Sequence, residues 1–490
     1  MIHLQNLCAP LGDHLSLNIE QLCIEQNTSW AIIGSNGSGK SALAALFSGR
    51  LPYQQGSISG LIETNVSTVS FEVQQQLIDR EQERDDSDIT NQVWPGTPVI
   101  ELLQEVSDDQ PQIQHWVSAF AIEHLLNKGF RKLSTGESRK VILIRALLQT
   151  ETFLVLDEPF DGLDANSQQA LKDILYAQHN NGRQMLFILN RLDEVPNWIS
   201  HLGFLHNLKL LTQGEKQTVL NDETVKAFLT FNNHTLALPS TDNCCPKLDA
   251  KITSLVTLVN GKVAYSDRLI FDGLNWQINR GEHWAVLGPN GCGKSTLLNL
   301  ISGDHPQCYA NNLTVFGIQR GSGESIWDIK QHIGIISAAM QWNYKASTNV
   351  LSAVVSGLFD SIGLYNQVED HQKALALDWL KQVKLEHKAN ESLHQLSYGE
   401  QRLVLICRAM IKQPALLILD EPCQGLDDPN RQLVLGFIDL LSQQKDTTLL
   451  YVTHHSGDLL PCFNRRLLCT NVDEVKGSEW RIQQDAVSGF

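Results

Sequence analysis

The chain is 490 residues long, of which 42% are apolar and 19% charged, a composition typical of a globular protein too long for one compact core. Its formal charge of −16 disfavours broad nucleic-acid binding, because an acidic surface repels phosphate backbones. No apolar stretch reaches the roughly 20 residues that a membrane-spanning helix needs, and the first residues do not form a signal-peptide pattern. We therefore expect a cytoplasmic protein, peripheral to the inner face of a membrane if it acts there.

A phosphate loop follows the first long apolar run. Residues 30–33 are apolar and end at a glycine, which predicts a buried parallel strand. The next eight residues read G-x-x-x-x-G-K-S, in which glycines let the backbone wrap around phosphates and a helix N-terminus adds N–H donors. Lys40 can reach the β- and γ-phosphates, and the Ser41 hydroxyl can ligate Mg²⁺. The predicted nucleotide contacts are Gly34, Ser35, Asn36, Gly37, Ser38, Gly39, Lys40 and Ser41.

A polar stretch lies between residues 70 and 117, with three consecutive glutamines at 74–76 and an acidic run from Asp79 to Asp88. Charged runs of this kind are mostly solvated. We interpret the part near 74–92 as an exposed helix or loop, without an assigned function.

Two further motifs complete the first half. Residues 133–137 read Leu-Ser-Thr-Gly-Glu before an amphipathic stretch, so Ser134, the permissive Gly136 and a helix N-terminus predict an anion site. An apolar run then places Asp157 and Glu158 at the end of a predicted strand, where ligands bind in open α/β sheets. Asp157 can hold Mg²⁺, usually through water, and Glu158 can accept a proton from the attacking water or orient it.

The same motifs recur in the second half. Lys40 and Lys294 of the two phosphate loops are 254 residues apart. By contrast, the serines of the two Leu-Ser-x-Gly-Glu segments, here called the signature segments, are 263 residues apart, and so are the aspartates of the two Asp-Glu pairs. This pattern indicates a duplicated domain with nine extra residues between the first two motifs of the second copy. We predict a first domain at 1–228, a linker at 229–251 and a second domain at 252–490. The second copy supplies Ser295 and Asp420 for Mg²⁺, Glu421 for catalysis, and Gly288, Pro289, Asn290, Gly291, Cys292, Gly293, Lys294, Ser295, Thr296, Ser397, Gly399 and Asp420 for the nucleotide.

The whole chain resembles the ATP-binding-cassette (ABC) ATPases in tandem form, through both phosphate loops, both Leu-Ser-x-Gly-Glu segments and both Asp-Glu pairs. The resemblance implies an α/β fold of two phosphate-loop NTPase domains, each a mainly parallel sheet core with a helical subdomain. It also implies ATP and Mg²⁺ as cofactors and ATP hydrolysis as the activity. In that family the signature residues contact the γ-phosphate bound by the other domain. The implied composite sites join Lys40 and Glu158 with Ser397 and Gly399, and Lys294 and Glu421 with Ser134 and Gly136.

The two copies differ at positions that the family uses. Tyr265 lies 29 residues before Lys294, where the family places an aromatic ring on the adenine, and the first copy has no aromatic residue between 6 and 17. The family's switch histidine is His454 in the second copy but Asn190 in the first, and an amide cannot carry a proton. We therefore predict that the second site, with His454 among its catalytic residues, performs most of the hydrolysis.

The glutamine that usually follows the next strand is also altered. Aligning the two copies leaves Glu72 and Ala338 at its place, with Gln74 and Gln341 nearby. In transporters this region relays the ATP state to a membrane partner, so its change weakens the expectation of ordinary permease coupling.

Several partners stay open. One alternative is the ATPase of a transporter, docked peripherally on separate permease subunits; others are a soluble ATPase acting on a ribosome or regulatory partner, and an ATP-binding module with little turnover.

The ten scattered cysteines include no C-x-x-C pair, so we expect reduced thiols and no metal site of the kind found in DNA-repair cassettes. In detail the chain is most similar to the ModF type of tandem cassette protein, also called photorepair protein, whose association with molybdate-transport operons implies molybdate transport. The segments that carry this resemblance are 35–41, 132–137, 157–164, 189–191 and 321–330.

Overall fold

The structure is a computed structural model that describes residues 1–12, 15–61, 66–84, 94–149, 153–229, 239, 248–265, 268–337, 340, 348–364, 366–443, 446–473 and 476–484. The chain divides into two compact units: Met1–Thr230 with Asp427–Pro429, here called the first unit, and Phe231–Leu426 with Asn430–Phe490, the second unit. Most of the predicted linker lies outside the described residues, and its bounds stay a prediction.

The first half of the chain contains nine strands within the described residues. They are β1 (Ile2–Pro10), β2 (Ser16–Ile24), β3 (Trp30–Gly34), β4 (Gln55–Ser59), β5 (Val66–Val69), β6 (Phe153–Asp157), β7 (Met185–Leu189), β8 (His201–His206) and β9 (Lys209–Glu215). The α-helices there are α1 (Lys40–Phe47), α2 (Phe71–Glu83), α3 (Val99–Gln104), α4 (Gln110–Ala119), α5 (Thr135–Leu148), α6 (Ala165–Asn180), α7 (Lys216–Asn221) and α8 (Glu223–Leu229).

These strands form one sheet in the order β4-β1-β2-β9-β8-β3-β7-β6-β5. Strands β8, β3, β7, β6 and β5 are parallel to one another, whereas β9 pairs antiparallel with β8, and β1 pairs antiparallel with β2 and β4. Strands β3, β6 and β7 are buried along their whole length, as expected for parallel strands covered on both faces. Their carboxyl ends therefore lie side by side at one end of the sheet, which is where open α/β sheets bind ligands.

The second half repeats this arrangement, except that four antiparallel strands form a separate sheet. Its strands are β10 (Ser254–Tyr265), β11 (Arg268–Asn279), β12 (Trp284–Leu287), β13 (Asn312–Val315), β14 (Ile318–Gln319), β15 (Ile333–Ile336), β16 (Leu416–Asp420), β17 (Thr448–Val452), β18 (Arg465–Asp473) and β19 (Gly477–Gln484). A four-stranded sheet has the order β11-β10-β13-β14, and a six-stranded sheet has the order β15-β16-β17-β12-β18-β19. The six-stranded sheet is parallel except for the pairing of β18 with β19.

Each half of the chain also has a helical part. The helices of the second half are α9 (Lys294–Ser302), α10 (Trp327–Lys330), α11 (Val350–Val355), α12 (Asp370–Gln382), α13 (Tyr398–Met410) and α14 (Asp428–Ser442). Helices α3 and α4 pack on α5, and α11 and α12 pack on α13, through buried aliphatic and aromatic side chains. The predicted fold class, mainly parallel sheet cores with helical parts, is confirmed. Among the helices that the structure describes, none has both the length and the apolar character needed to cross a membrane.

The polar stretch after β5 is only partly the exposed element that its charge predicts. Residues 71–83 form α2, but Gln74, Leu77 and Glu81 on this helix are buried. Glu81 is satisfied because its carboxylate accepts hydrogen bonds from the backbone N–H and the hydroxyl of Thr97, at 2.6 and 3.1 Å. The helix thus packs against its unit through a buried polar contact that a charge count does not reveal. Residues 85–93 of the stretch lie outside the described residues.

Candidate nucleotide-binding sites

Both phosphate loops follow a central parallel strand and end where a helix begins. In the first loop Gly37 and Gly39 have φ angles of 76° and 98°, and in the second Gly291 and Gly293 have 77° and 98°. Only glycine adopts such left-handed angles without strain, so the loop conformation depends on these residues. Helices α1 and α9 begin immediately afterwards, at the lysine of each loop. Their N-terminal N–H groups complete a set of donors suited to phosphate.

The loop lysines are buried and folded back onto their own loops. Lys40 Nζ donates hydrogen bonds of 2.7 Å to the carbonyl oxygens of Gly34 and Ser35. Lys294 Nζ donates in the same way to Gly288 and Pro289, at 2.8 and 2.9 Å. Each ammonium group is therefore held within the turn where the motif predicts a phosphate, and its carbonyl contacts are the ones that a phosphate would replace.

The predicted Mg²⁺ ligands lie together in each unit. Ser295 Oγ donates a hydrogen bond of 3.2 Å to Asp420 Oδ2, and a hydrogen bond from Ser41 to Asp157 acts in the opposite direction to burial on the aspartate's pKa. Burial raises the pKa of both aspartates to about 6, with added repulsion from Glu72 on Asp157 and from Glu421 on Asp420.

A divalent cation fits this chemistry. Asp157 Oδ1 is buried and has no hydrogen-bond partner among the described residues. A carboxylate and a hydroxyl are oxygen ligands of the type that Mg²⁺ prefers, and a nearby cation would offset the cost of burying the carboxylate. The residues present in each unit are therefore suited to Mg²⁺.

The two predicted catalytic glutamates share an unusual backbone conformation. Glu158 and Glu421 both have a φ angle of 50°, in the left-handed region that disfavours residues with a side chain. Their N–H groups donate to the carbonyl oxygens of Ile188 and Val452, at 2.9 Å in both cases. Each contact is made to the neighbouring strand, β7 or β17, which fixes the glutamate at the carboxyl end of the sheet. Strain of this kind is typical of functional positions.

The surroundings of the two glutamates differ. His454 Nδ1 lies 2.8 Å from Glu421 Oε1 and donates to it. Although burial alone would raise the pKa of Glu421, this hydrogen bond and the charge of His454 lower it below the ordinary value. For Glu158, burial and the charge of Glu194 raise the pKa well above the ordinary value. Glu421 is therefore favoured as a carboxylate able to accept a proton, whereas burial and Glu194 favour the protonated form of Glu158.

Strand registers show why the histidine is present in one unit only. Asp157 pairs with Ile188, and Asp420 pairs with Val452. Two residues further along, the first unit has Asn190 and the second has His454. The two positions are thus equivalent in the sheets, as the alignment of the two copies predicts.

Glu194 is a residue of this region that the motif analysis did not identify. It is buried, and burial raises its pKa to about 8. The equivalent position in the second unit is Asp458, which forms an ion pair of 2.5 Å with Arg431. Position 168, the equivalent of Arg431, is a glutamine that donates to backbone carbonyls instead. The exchange of arginine for glutamine becomes visible when the two copies are aligned, with 263 residues between Gln168 and Arg431 and 264 between Glu194 and Asp458. It lies outside the motifs.

The signature segments form helix N-termini. Ser134 precedes α5 and Ser397 precedes α13, and each serine hydroxyl accepts a hydrogen bond from the N–H of the glutamate three residues later. That glutamate accepts the serine N–H in return, a reciprocal capping box. Gly136 and Gly399 occupy the first turn of the helices. Each unit therefore presents an N-terminus with the positive end of the helix dipole at the predicted anion site.

Tyr265 lies beside the second phosphate loop and is exposed. It is the last residue of β10, with 52% of its surface accessible, and its hydroxyl lies 3.1 Å from His305 Nε2. Arg268, opposite Tyr265 in the β10–β11 pair, donates to the carbonyl oxygen of Gly291 in the loop. An exposed aromatic ring so placed is available for stacking on a base. The equivalent position in the first unit is Leu11, which packs against the core.

The remaining loop residues fall into two groups. Ser38 and Cys292 are buried behind their loops, and Ser35 Oγ lies 3.2 Å from His206 Nδ1. The others occupy the loops or the first turn of the following helix: Asn36, Asn290 and Thr296.

The alignment of the altered glutamine position needs a correction of one residue. Val69 pairs with Leu156 and Ile336 pairs with Leu419, so β5 and β15 end at equivalent residues. The equivalent of Glu72 is then position 339 rather than Ala338, and both 338 and 339 lie outside the described residues. Glu72 itself lies in the first turn of α2.

Comparisons with known proteins agree with this geometry. A family model described as "ABC transporter" matches residues 17–161 and 271–424. The "ABC transporter ATP-binding protein ModF" of Escherichia coli (strain K12) is 42% identical over 467 residues, which cover 93% of this chain and 94% of that protein. The "Molybdate import ATP-binding protein MolC" of Haemophilus influenzae is 32% identical over 216 residues, covering 44% of this chain and 78% of that protein. A solved structure of the "RNase-L Inhibitor" matches with a TM-score of 0.65 at 18% identity, covering 97% of this chain and 90% of that one, which shows a shared fold.

We predict that Glu194 makes the stability of the first unit depend on pH. Its folded-state pKa of about 8 exceeds the ordinary 4.5, so its contribution to stability is present at low pH and is lost as the pH rises through 8. Glu194→Gln mimics the protonated form and should raise the free energy of unfolding at pH 8.5 by up to about 5 kcal/mol, the equivalent of the full pKa shift, with little change at pH 5. Urea unfolding followed by circular dichroism measures this. Glu20→Gln, an exposed position on β2, is the control; equal pH dependence in wild type and Glu194→Gln would contradict the assignment.

Proposed function

Since this chain belongs to the ABC transporter family as a tandem ATPase, we propose that it hydrolyses ATP at two unequal sites, of which the second does most of the work. The observation that carries this proposal is the 2.8 Å contact between His454 Nδ1 and Glu421 Oε1, which places an imidazole beside the base, whereas the equivalent residue of the first unit is Asn190, whose amide cannot carry a proton.

At the second site, different groups of the chain bind the phosphates, hold Mg²⁺ and activate the attacking water. The N–H groups of residues 288–295 and the ammonium of Lys294 bind the phosphates and favour the negative charge that builds up on them during transfer. Ser295 and Asp420 would hold Mg²⁺, which neutralises phosphate charge when bound. Glu421 orients the attacking water and accepts its proton.

The two ring nitrogens of His454 have different roles, one at Glu421 and one facing the nucleotide. Its Nδ1–H keeps the Glu421 carboxylate ionised and in position. Its Nε2 is buried and has no hydrogen-bond partner among the described residues, so this nitrogen is available to a phosphate oxygen. One imidazole thus connects the base to the group that the water attacks.

The first site is built to bind ATP and to turn it over slowly. Its phosphate loop, lysine and aspartate match those of the second site, which supports binding. Burial and the charge of Glu194, however, raise the pKa of Glu158 well above its ordinary value and favour its protonated form, which is a poor proton acceptor. Slow turnover at this site follows from the electrostatic surroundings of Glu158, including Asn190 in place of the histidine, although the phosphate loop and the Asp-Glu pair are present.

Matched substitutions of the two glutamates test this inequality. Glu421→Gln removes the proton acceptor of the second site and should reduce steady-state ATP hydrolysis by about 10²-fold. Glu158→Gln changes a group whose raised pKa favours the neutral form, at the site that we propose to be slow, and should change the rate by less than about twofold. Phosphate release by the purified chain measures both, and equal losses in the two variants would contradict the proposal.

Removing His454 should alter the pH profile as well as the rate. In His454→Ala the pKa of Glu421 rises, because burial is no longer opposed by the imidazole. The acid limb of the kcat profile should therefore move to higher pH, and the rate at pH 7 should fall by about tenfold or more. Asn190→Ala is the matched control and should leave the profile in place. A uniform loss at every pH would show that His454 does not set the protonation of Glu421.

We further propose that the hydrolysis supports import of molybdate or a similar oxyanion, with the chain bound peripherally to permease subunits. The names of the two relatives, an ABC transporter ATP-binding protein and a molybdate import ATP-binding protein, support this partner. The likeness to the RNase-L inhibitor is at 18% identity and concerns the fold alone, so it does not favour another partner.

Capture of the partner tests this role. The slow-hydrolysing Glu421→Gln chain, tagged and purified with ATP from detergent-solubilised membranes of its own host, should retain membrane permease subunits that mass spectrometry identifies. Lys294→Ala, which lacks the ammonium of the second loop, should retain fewer. Recovery with ribosomes in a sucrose gradient, and none with membranes, would contradict the transport role and leave the ATPase assignment unaffected.

A further inference from the structure

Two cysteines meet behind the second phosphate loop. Cys292 belongs to the loop and is buried, whereas Cys469 lies on β18 and is half-buried. Strands β12 and β18 are parallel, with Leu287 opposite Leu468, so the next residues, Gly288 and Cys469, are also neighbours. A Cβ added at Gly288 would lie 2.6 Å from Cys469 Cβ and 2.9 Å from Cys292 Sγ. Both cysteine side chains therefore converge on the small space that the missing side chain of Gly288 leaves.

The two thiols are unequal in acidity. A hydrogen bond from Cys292 lowers the pKa of Cys469 to about 7, helped by the Ser478 hydroxyl and the Lys294 charge. The same hydrogen bond and burial raise the pKa of Cys292. The lowered pKa favours the thiolate form of Cys469, which is also the more exposed of the two cysteines. A thiolate, rather than a thiol, is the form that reacts with oxidants.

The position of Cys292 connects these thiols to phosphate binding. It lies between Gly291 and Gly293, whose left-handed φ angles shape the loop. Lys294 follows directly and donates to the carbonyl oxygens of Gly288 and Pro289. A covalent bond from Cys292 to β18 would tether the loop in this arrangement, in which the ammonium is turned towards the loop carbonyls and cannot rearrange around a phosphate.

We propose that Cys292 and Cys469 form a reversible redox modification site that takes a peroxide as oxidant and switches off the second phosphate loop. The Cys469 thiolate attacks one peroxide oxygen, the O–O bond breaks, and with one proton taken up a sulfenic acid and one water form. The Cys292 sulfur then attacks the Cys469 sulfur and gives up its proton, and the departing hydroxide leaves as a second water. Two thiols are oxidised by two electrons, hydrogen peroxide is reduced to two waters, and a dithiol reverses the bond by exchange.

The first unit lacks this pair. The residues equivalent to Cys292 and Cys469 are Ser38 and Leu205, and Leu205 is the register partner of Gly34. Oxidation should therefore act on the second loop only. The kinetic consequence rests on the proposed dominance of the second site, whereas formation of the bond does not.

The experiment treats the purified full-length chain with hydrogen peroxide and follows two properties. Peptide mass spectrometry without reduction should find a Cys292–Cys469 disulfide, and ATP hydrolysis should fall by about tenfold or more, with recovery after dithiothreitol. Cys469→Ser should keep its untreated rate in peroxide. Cys462→Ser, which changes another half-buried cysteine, should lose activity as the wild type does.

The outcomes separate the two proposals. Absence of the Cys292–Cys469 peptide, or equal inactivation of Cys469→Ser and wild type, would overturn the redox site. A disulfide that forms without any change in hydrolysis would overturn the switch, and the glutamate variants described above would then show independently whether the second site dominates.

Discussion

The parallel alignment of the central strands is the constraint on which both sites depend. In the first unit β3, β7 and β6 are neighbours, and in the second β12, β17 and β16 are. Because parallel strands end on the same side, the phosphate loop, the switch position and the Asp-Glu pair meet there without any long-range adjustment. The contact of each glutamate N–H with the adjacent strand fixes the base in a strained conformation, at the same distance in both units. The scaffold is thus equivalent, and the difference between the sites must come from side chains.

That difference is electrostatic and arises from a few exchanges. In the second unit an imidazole faces the base, and the buried acid near it, Asp458, has its own guanidinium in Arg431. In the first unit Asn190 stands in place of the histidine and Gln168 in place of the arginine. Burial raises the pKa of both Glu158 and Glu194, and the charge of Glu194 raises the pKa of Glu158 further. Burying a second negative charge beside the first is more costly than retaining a proton. The glutamate at the same place is therefore favoured as a carboxylate in the second unit and as a neutral acid in the first.

Most of the fold and of the site positions could be predicted from the sequence, but the charge balance around the two catalytic glutamates could not. Phosphate loops, the Asp-Glu pairs and their strands could be predicted because their spacing follows from the geometry of parallel strands, and Asn190 could be matched with His454 by register. Glu194 could not, since its importance depends on burial beside Glu158 and on the change at position 168, which are distant in the chain. The burial of Glu81 was missed because a charged helix predicts exposure unless its backbone partner, Thr97, is known. The Glu72 alignment was wrong by one residue because apolar runs locate strand ends only approximately.

The inequality of the sites is most directly tested by counting nucleotides after a single turnover. The purified chain is mixed with Mg²⁺ and excess ATP, freed rapidly from unbound nucleotide and quenched with acid, and the bound ATP and ADP are separated by chromatography at successive times. Two unequal sites predict that one bound nucleotide per chain becomes ADP rapidly while the other persists as ATP. Conversion of both nucleotides at one common rate would contradict the account.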